Sequence, residues 1–253
     1  TGIYTLKGRL AAATLIGGAG TDTADYSASS AAVTVALDGS FGSSGDAAGD
    51  TLSGIERIVG SAFADTLGGS TGNDALVGGA GEDRMTGSAG TERKDGGSGI
   101  DSVTFATAGA GVTVNLGTGA GSGGDAAGDT FANVERLIGS DYADSFTGGA
   151  ADEILEGGLG DDTLSGGAGA DTLDGGAGND TLTGGSGADV LIGGAGFDTA
   201  DYSGSGAAVQ LVLDGSSASG GDAAGDTLTG IERVVGSAFN DDIAGGSAGE
   251  TLE

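Results

Sequence analysis

One apolar side chain returns at every ninth residue through the middle of the chain: Leu164, Leu173, Leu182 and Leu191, then Ala200. Each sits in a three-residue stretch such as Thr163-Leu-Ser165, the pattern of a short strand with one side chain turned inward. A second pattern alternates over five residues, at Val33–Leu37, Val112–Leu116 and Val209–Leu213. Neither matches the 3.6-residue period of a helix, and Gly recurs every few positions, so no helix is predicted. The expectation is an all-β chain of short strands joined by tight turns.

Between the apolar positions the intervening residues repeat as well: GGLGDDTLS, GGAGADTLD, GGAGNDTLT, GGSGADVLI and GGAGFDTAD run without a gap from Gly157 to Asp201. The sixth place is Asp each time, at Asp162, Asp171, Asp180, Asp189 and Asp198. Gly in the first, second and fourth places suits a six-residue turn with positive φ angles, leaving the last three residues extended. A unit this small cannot fold alone; it reads as half a coil of a solenoid stabilised by its neighbours.

The phase continues upstream through Glu153, Asp144 and Glu135, and reappears at Glu56, Asp65, Asp74, Asp83, Glu92 and Asp101, at Glu232, Asp241 and Glu250, and at Asp22. The nonapeptide runs occupy residues 60–104 and 139–201. On a larger scale residues 17–65 recur as 96–144 and 193–241, each copy holding an identical loop, GDAAGDT, at Gly45, Gly124 and Gly221. These three modules read as widened coils within one continuous roll over residues 1–253. Aromatic residues recur at matching places of the modules (Tyr26, Phe105 and Tyr202; Phe63, Tyr142 and Phe239) and are expected to fill the core.

Composition narrows the chemistry. With 59 Gly and no Pro, Trp, Cys or His, the chain has no disulfide, thiolate or imidazole chemistry. Its 37 acidic and 8 basic residues leave a formal charge of −29, which disfavours nucleic acid and calls for a cation if the chain is to be compact. Hard oxygen donors of this kind suit calcium, which accepts carboxylates and backbone carbonyls together. No apolar run reaches the length of a membrane span, and the first residues lack the pattern of a cleaved signal peptide. The final nonapeptide completes a repeat and stops, so the expectation is a segment of a longer protein.

The repeat GGxGxDxUx, with U apolar, resembles the hemolysin-type calcium-binding repeat of the RTX proteins. That resemblance implies a parallel β-roll with two nonapeptides per coil, and calcium ions between turns stacked two repeats apart. It implies ligation by Asp22, Asp65, Asp74, Asp83, Asp101, Asp144, Asp162, Asp171, Asp180, Asp189, Asp198 and Asp241. Carbonyls of the Gly turns would complete the sites, at Gly158 and Gly160, Gly167 and Gly169, Gly176 and Gly178, Gly185 and Gly187, and Gly194 and Gly196. Asp162 is expected to share an ion with Asp180, Asp180 with Asp198, Asp171 with Asp189, Asp65 with Asp83, and Asp83 with Asp101. Glu56, Glu135 and Glu232 would close the first site of a run. The two Asp residues of each GDAAGDT loop read equally well as a further site or as a solvated turn. Two copies depart from the pattern: Glu153 replaces Asp beside Ala151, and GSAGTERKD puts Glu92 in the sixth place and Lys94 in the apolar one. The coil of Lys94 is expected to be the weakest or to lie at an edge, since a lysine there must snorkel.

Functionally the resemblance implies a non-enzymatic, calcium-folded structural or adhesive region, as in a surface layer, adhesin or fibre, exported unfolded by type I secretion from a Gram-negative bacterium to the cell surface or medium. The alternative is the carboxy-terminal calcium-binding region of a secreted enzyme or toxin whose catalytic domain lies outside this chain. The open ends of a solenoid also suggest a homo-oligomer, filament or lattice.

Overall fold

The computed structural model describes residues 2–8, 11–213, 218–246 and 251–252; Glu250, the last residue in phase, lies outside them. The described residues form short strands and three single 3-10 turns. None of the helical segments among them is long and apolar enough to cross a membrane. The chain divides into two compact units, residues 1–108 with 119–134, and residues 109–118 with 135–253.

The second unit shows most directly how the repeat folds. Ile154–Leu159, Thr172–Ala177 and Val190–Ala195 lie in one parallel sheet, while Thr163–Ala168, Thr181–Ser186 and Thr199–Asp201 lie in another. Successive nonapeptides thus supply the two sheets in turn, and two of them make a full coil: Leu164 pairs with Leu182, and Leu155 with Leu173 and then Leu191. Those leucines are fully buried and form the core. This is the parallel β-roll expected from the repeat. In the first unit Arg57–Val59, Ala75–Ala80, Arg93–Ser98 and Thr130–Ala132 run side by side in one sheet, and Thr34–Ala36, Thr66–Gly68, Arg84–Thr86 and Ser102–Thr104 in another.

The turn is shorter than expected. Each strand of the central run takes in the first three residues of the following nonapeptide, as in Thr163-Leu-Ser-Gly-Gly-Ala168, so only three residues, 160–162 for example, remain between strands. The second and fourth glycines do have positive φ, 108° at Gly158 and 110° at Gly160, but the first glycine does not. Gly157, Gly166, Gly175, Gly184 and Gly193 are instead buried on the inward face of the strand. A Cβ on Gly157 would lie 2.6 Å from the Gly175 carbonyl oxygen and against the Asp162 carboxylate. The first place needs Gly for space, the second and fourth for conformation.

Two further expectations change. Tyr26, Phe105 and Tyr202 fill the core, but Phe63, Tyr142 and Phe239 are 45%, 49% and 54% exposed. These three occupy the fourth place of their turns, at the solvent rim. Lys94 neither snorkels nor lies at an edge: it is fully buried, on a strand flanked on both sides by Ala75–Ala80 and Thr130–Ala132. Its ammonium bonds Glu92 Oε2 at 3.1 Å and Asp129 Oδ2 at 2.6 Å, and lies 5.6 Å from the Phe131 ring centroid and 5.9 Å from that of Phe105. Two carboxylates and two aromatic faces replace the water that a lysine would otherwise seek.

Candidate metal centre

Because parallel strands stack with a register of two nonapeptides, the sixth-place carboxylates of one edge fall directly above each other. Each reaches back to cap the turn below. In the second unit Asp162 Oδ1 accepts from the Asp144 N–H at 2.7 Å, Asp180 from Asp162 at 2.8 Å, and Asp198 from Asp180 at 2.8 Å. On the other edge Asp171 Oδ1 accepts from Glu153 N–H at 2.8 Å and Asp189 from Asp171 at 2.9 Å. In the first unit Asp83 caps Asp65 and Asp101 caps Asp83, both at 2.7 Å. Every sharing pair read from the sequence is therefore adjacent. Glu232 Oε2 caps the Asp198 N–H and Glu56 Oε2 that of Asp22, so these two stack on the sixth-place Asp 34 residues before them. Glu135 stands at the start of the second unit's main segment, its carbonyl accepting from Ile154 N–H.

The second carboxylate oxygen separates the ladder into two groups. In Asp83, Asp162, Asp171, Asp180, Asp189 and Asp198, Oδ2 is buried and has no hydrogen-bond partner, and Glu153 Oε2 is in the same position. A buried anionic oxygen without a donor is costly unless a cation meets it. In Asp22, Asp65, Asp74 and Asp144, Oδ2 instead accepts from the N–H of the second residue of the same turn: Gly18 and Ser70 at 2.6 Å, Ser140 at 2.6 Å, and Ser61. Asp241 accepts from Ser237 Oγ at 2.6 Å. Apart from Gly18, the second residue of these closed turns is Ser, whose hydroxyl also bonds the carboxylate. Serine in the second place marks four of these five closed turns, but serine alone does not close a turn: Ser88, second in the turn of Glu92, has no hydrogen-bond partner for its hydroxyl, and Glu92 Oε1 is likewise buried without one.

The electrostatics follow the geometry. Burial pushes Asp162 up to about 7; the Asp144 backbone hydrogen bond opposes this, and the charges of Asp144, Asp180 and Asp161 reinforce it. Burial likewise takes Asp83 up to about 6 and Glu153 to about 7, and raises Asp171, Asp180, Asp189 and Asp198. Asp241, in a closed turn, is lowered by its bond from Ser237. These open turns hold negative charge that the protein itself does not neutralise.

Glycine carbonyls lie in the same stacked turns. A Cβ on Gly176 would collide with the Gly158 carbonyl oxygen, and one on Gly178 with that of Gly160; the same holds for Gly194 with Gly176 and Gly196 with Gly178. The carbonyls of the second and fourth places therefore face the stacked turn across a gap that only Gly leaves open. Among the described residues no three carboxylates converge on one point, so a cation here must take main-chain oxygens as well. Oxygen-only donors with few carboxylates suit calcium and exclude thiophilic metals. The same crowding gives a test. With φ at 145°, Gly178→Ala should lower stability in saturating calcium by about 1–3 kcal/mol or more, whereas Ala168→Ser, which copies Ser186 in the next coil, should stay within about 0.5 kcal/mol. Urea unfolding measures both; a Gly178→Ala protein as stable as its parent would refute the close stacking.

The family model described as the RTX calcium-binding nonapeptide repeat (4 copies) matches residues 50–81, 68–103, 129–164, 165–200 and 226–248, more than half of the chain. The chain belongs to this RTX repeat family. RTX repeats bind calcium, several ions along a run, and the unpartnered oxygens and glycine gaps of this chain fit that metal. No curated protein matches the chain.

The structure also places carboxylates in the RTX ladder that the nine-residue phase passes over. Asp50, Asp129 and Asp226, the second Asp of each GDAAGDT loop, cap the N–H groups of Ala13, Glu92 and Asp189 at 2.7, 2.7 and 2.9 Å across 37 residues. They stand where the sixth-place Asp of the next coil would stand if the module were not inserted. Burial also takes Asp226 up to about 6. The first Asp of each loop lies in the short 3-10 turns Gly45–Ala47, Gly124–Ala126 and Gly221–Ala223, outside the ladder.

Proposed function

We propose that this chain is a non-enzymatic structural or adhesive region of a secreted or surface protein, folded by calcium after export. The observation that carries the reading is the row of buried, unpartnered carboxylate oxygens on both edges of the roll, in turns whose close stacking only glycine permits. Asp83, Asp162, Asp171, Asp180, Asp189 and Asp198 are the carboxylates that would hold the ions, with carbonyls from turns such as 158–160 and 176–178. Asp22, Asp65, Asp74, Asp144 and Asp241, already bonded within their own turns, would contribute less. Glu56, Glu135 and Glu232 would close runs. Calcium would supply positive charge between stacked turns; the chain supplies register and the exclusion of water. The sixth-place carboxylates are thereby engaged by metal or by their own turns, and the chain has no His or Cys. A cytoplasm poor in free calcium would keep such a chain extended enough for type I secretion, and the outside of a Gram-negative cell would fold it.

Counting the metal tests this reading. The protein, loaded with calcium and freed of excess by gel filtration, should carry several ions per chain by plasma mass spectrometry. Asp180→Asn, at the centre of one ladder, should reduce the number bound, while Asp74→Asn should leave it nearly unchanged. A parent chain with no bound calcium would overturn the proposal.

A further inference from the structure

The point where each GDAAGDT loop rejoins the ladder can be compared three times within the chain, and the three junctions differ in charge. At the first, Asp50 caps Ala13, which brings no carboxylate, and its Oδ2 accepts from the Tyr26 phenol at 3.1 Å. At the second, Asp129 caps Glu92, Phe105 stands where Tyr26 stands in the first module, and the missing hydroxyl is replaced by the Lys94 ammonium, which bonds Asp129 Oδ2 and Glu92 Oε2 together. At the third, Asp226 caps Asp189 and accepts from the Tyr202 phenol at 2.8 Å, but Leu191 occupies the place of Lys94. Two buried carboxylates, each no more than 1% exposed, therefore meet at the third junction without a cation, and Asp189 Oδ2 has no partner.

We propose that Asp189 and Asp226 hold a calcium ion at this third junction, doing for the second unit what the tethered ammonium of Lys94 does for the first. The site differs from the nonapeptide sites in being formed by one repeat turn and one inserted loop, rather than by two repeat turns of neighbouring coils. Two observations point to a cation there. A carboxylate oxygen is buried without a donor, and the equivalent pair, Glu92 and Asp129, has an ammonium seated between its members. A buried pair of ionised carboxylates is costly unless a counter-charge or a proton relieves it, and at neutral pH and above a cation is the more effective partner. The first junction, with a single carboxylate bonded by a phenol, needs none. The inference rests on the calcium reading of the open turns, since the same ion is taken to enter both kinds of site.

Exchanging the two solutions tests it on the whole chain. Leu191→Lys with Tyr202→Phe copies the second junction into the third and should lose about one calcium ion per chain by plasma mass spectrometry, with the β circular dichroism in calcium retained. Lys94→Leu with Phe105→Tyr copies the third into the second and should gain about one ion. Should the first exchange fail to fold, Asp226→Asn, which preserves the shape of the cap, should show the same loss. An unchanged number of ions in the folded exchange, or in Asp226→Asn, overturns the junction site while leaving the nonapeptide sites standing. A parent chain that binds no calcium overturns both.

Discussion

In excess chelator at neutral pH the chain should give the circular dichroism of a coil, and millimolar calcium should return the β signal. The cause lies in how thin the core is. Each nonapeptide of the central run buries one apolar side chain, leucine in four of the five, and an inward glycine, and the ordering of so much glycine opposes folding more strongly than for any other residue. Hydrogen bonding is close to complete along the sheets, but the open turns leave buried oxygens uncompensated, and the chain as a whole carries a charge of −29. Without metal these terms add in the same direction. Each ion present at a hundredfold excess over its Kd stabilises the folded state by about 2.7 kcal/mol, so a few sites match the whole stability of an ordinary domain, about 5–15 kcal/mol. Binding free energy is then folding free energy. The transition should be steep in calcium, because every internal turn contributes to the gap above and the gap below. The same β spectrum in chelator and in calcium would refute the account.

Acid should partly replace calcium. The open-turn carboxylates titrate higher in the metal-free roll than in an unfolded chain: Asp162 and Glu153 at about 7 and Asp83 at about 6, all chiefly through burial, against values near 4 when exposed. Between roughly pH 4 and 7 the folded state therefore binds more protons than the unfolded one, and its stability falls as pH rises. The contribution is fully present below about pH 4 and is lost as pH passes through 6 to 7. In chelator, β signal should thus grow from pH 8 to pH 5, as net charge also falls toward the isoelectric point near 4.1. Calcium competes with the same protons, so its folding midpoint should move to higher concentration as pH falls over that range. A midpoint independent of pH, with a metal-free chain as disordered at pH 5 as at pH 8, would show that these carboxylates are not the calcium ligands.

Much of this was legible in residue order because the repeat is short and nearly perfect. The apolar eighth place gave Leu164, Leu173, Leu182 and Leu191 as core, and the sixth place gave the stacking partners, since carboxylates two nonapeptides apart must share an edge when two nonapeptides make a coil. The aromatics were only half legible: Tyr26 and Phe63 recur equally well in the modules, yet one is buried and the other stands at the rim of a turn. Recurrence reports equivalence of place, not depth. Lys94 was misread for a related reason. A lysine at an apolar position is unfavourable on its own, and the partners that make it acceptable, Asp129 and Phe131, belong to the inserted loop and the strand after it, far along the chain.

The sequence by itself determined the period, the two-sided coil and the class of metal, because a side chain inward once in every nonapeptide and a carboxylate beside glycine carbonyls impose those answers wherever they occur. Tertiary structure decided which carboxylates keep an oxygen free and how inserted loops rejoin the ladder. The first depends on whether the second residue of a turn extends into the sheet or bends its N–H back to the carboxylate, as at Ser61, Ser70 and Ser140. The second depends on Asp50, Asp129 and Asp226 coming into register across 37 residues. Both are settled by the stacking of neighbouring coils, a constraint that acts between distant residues.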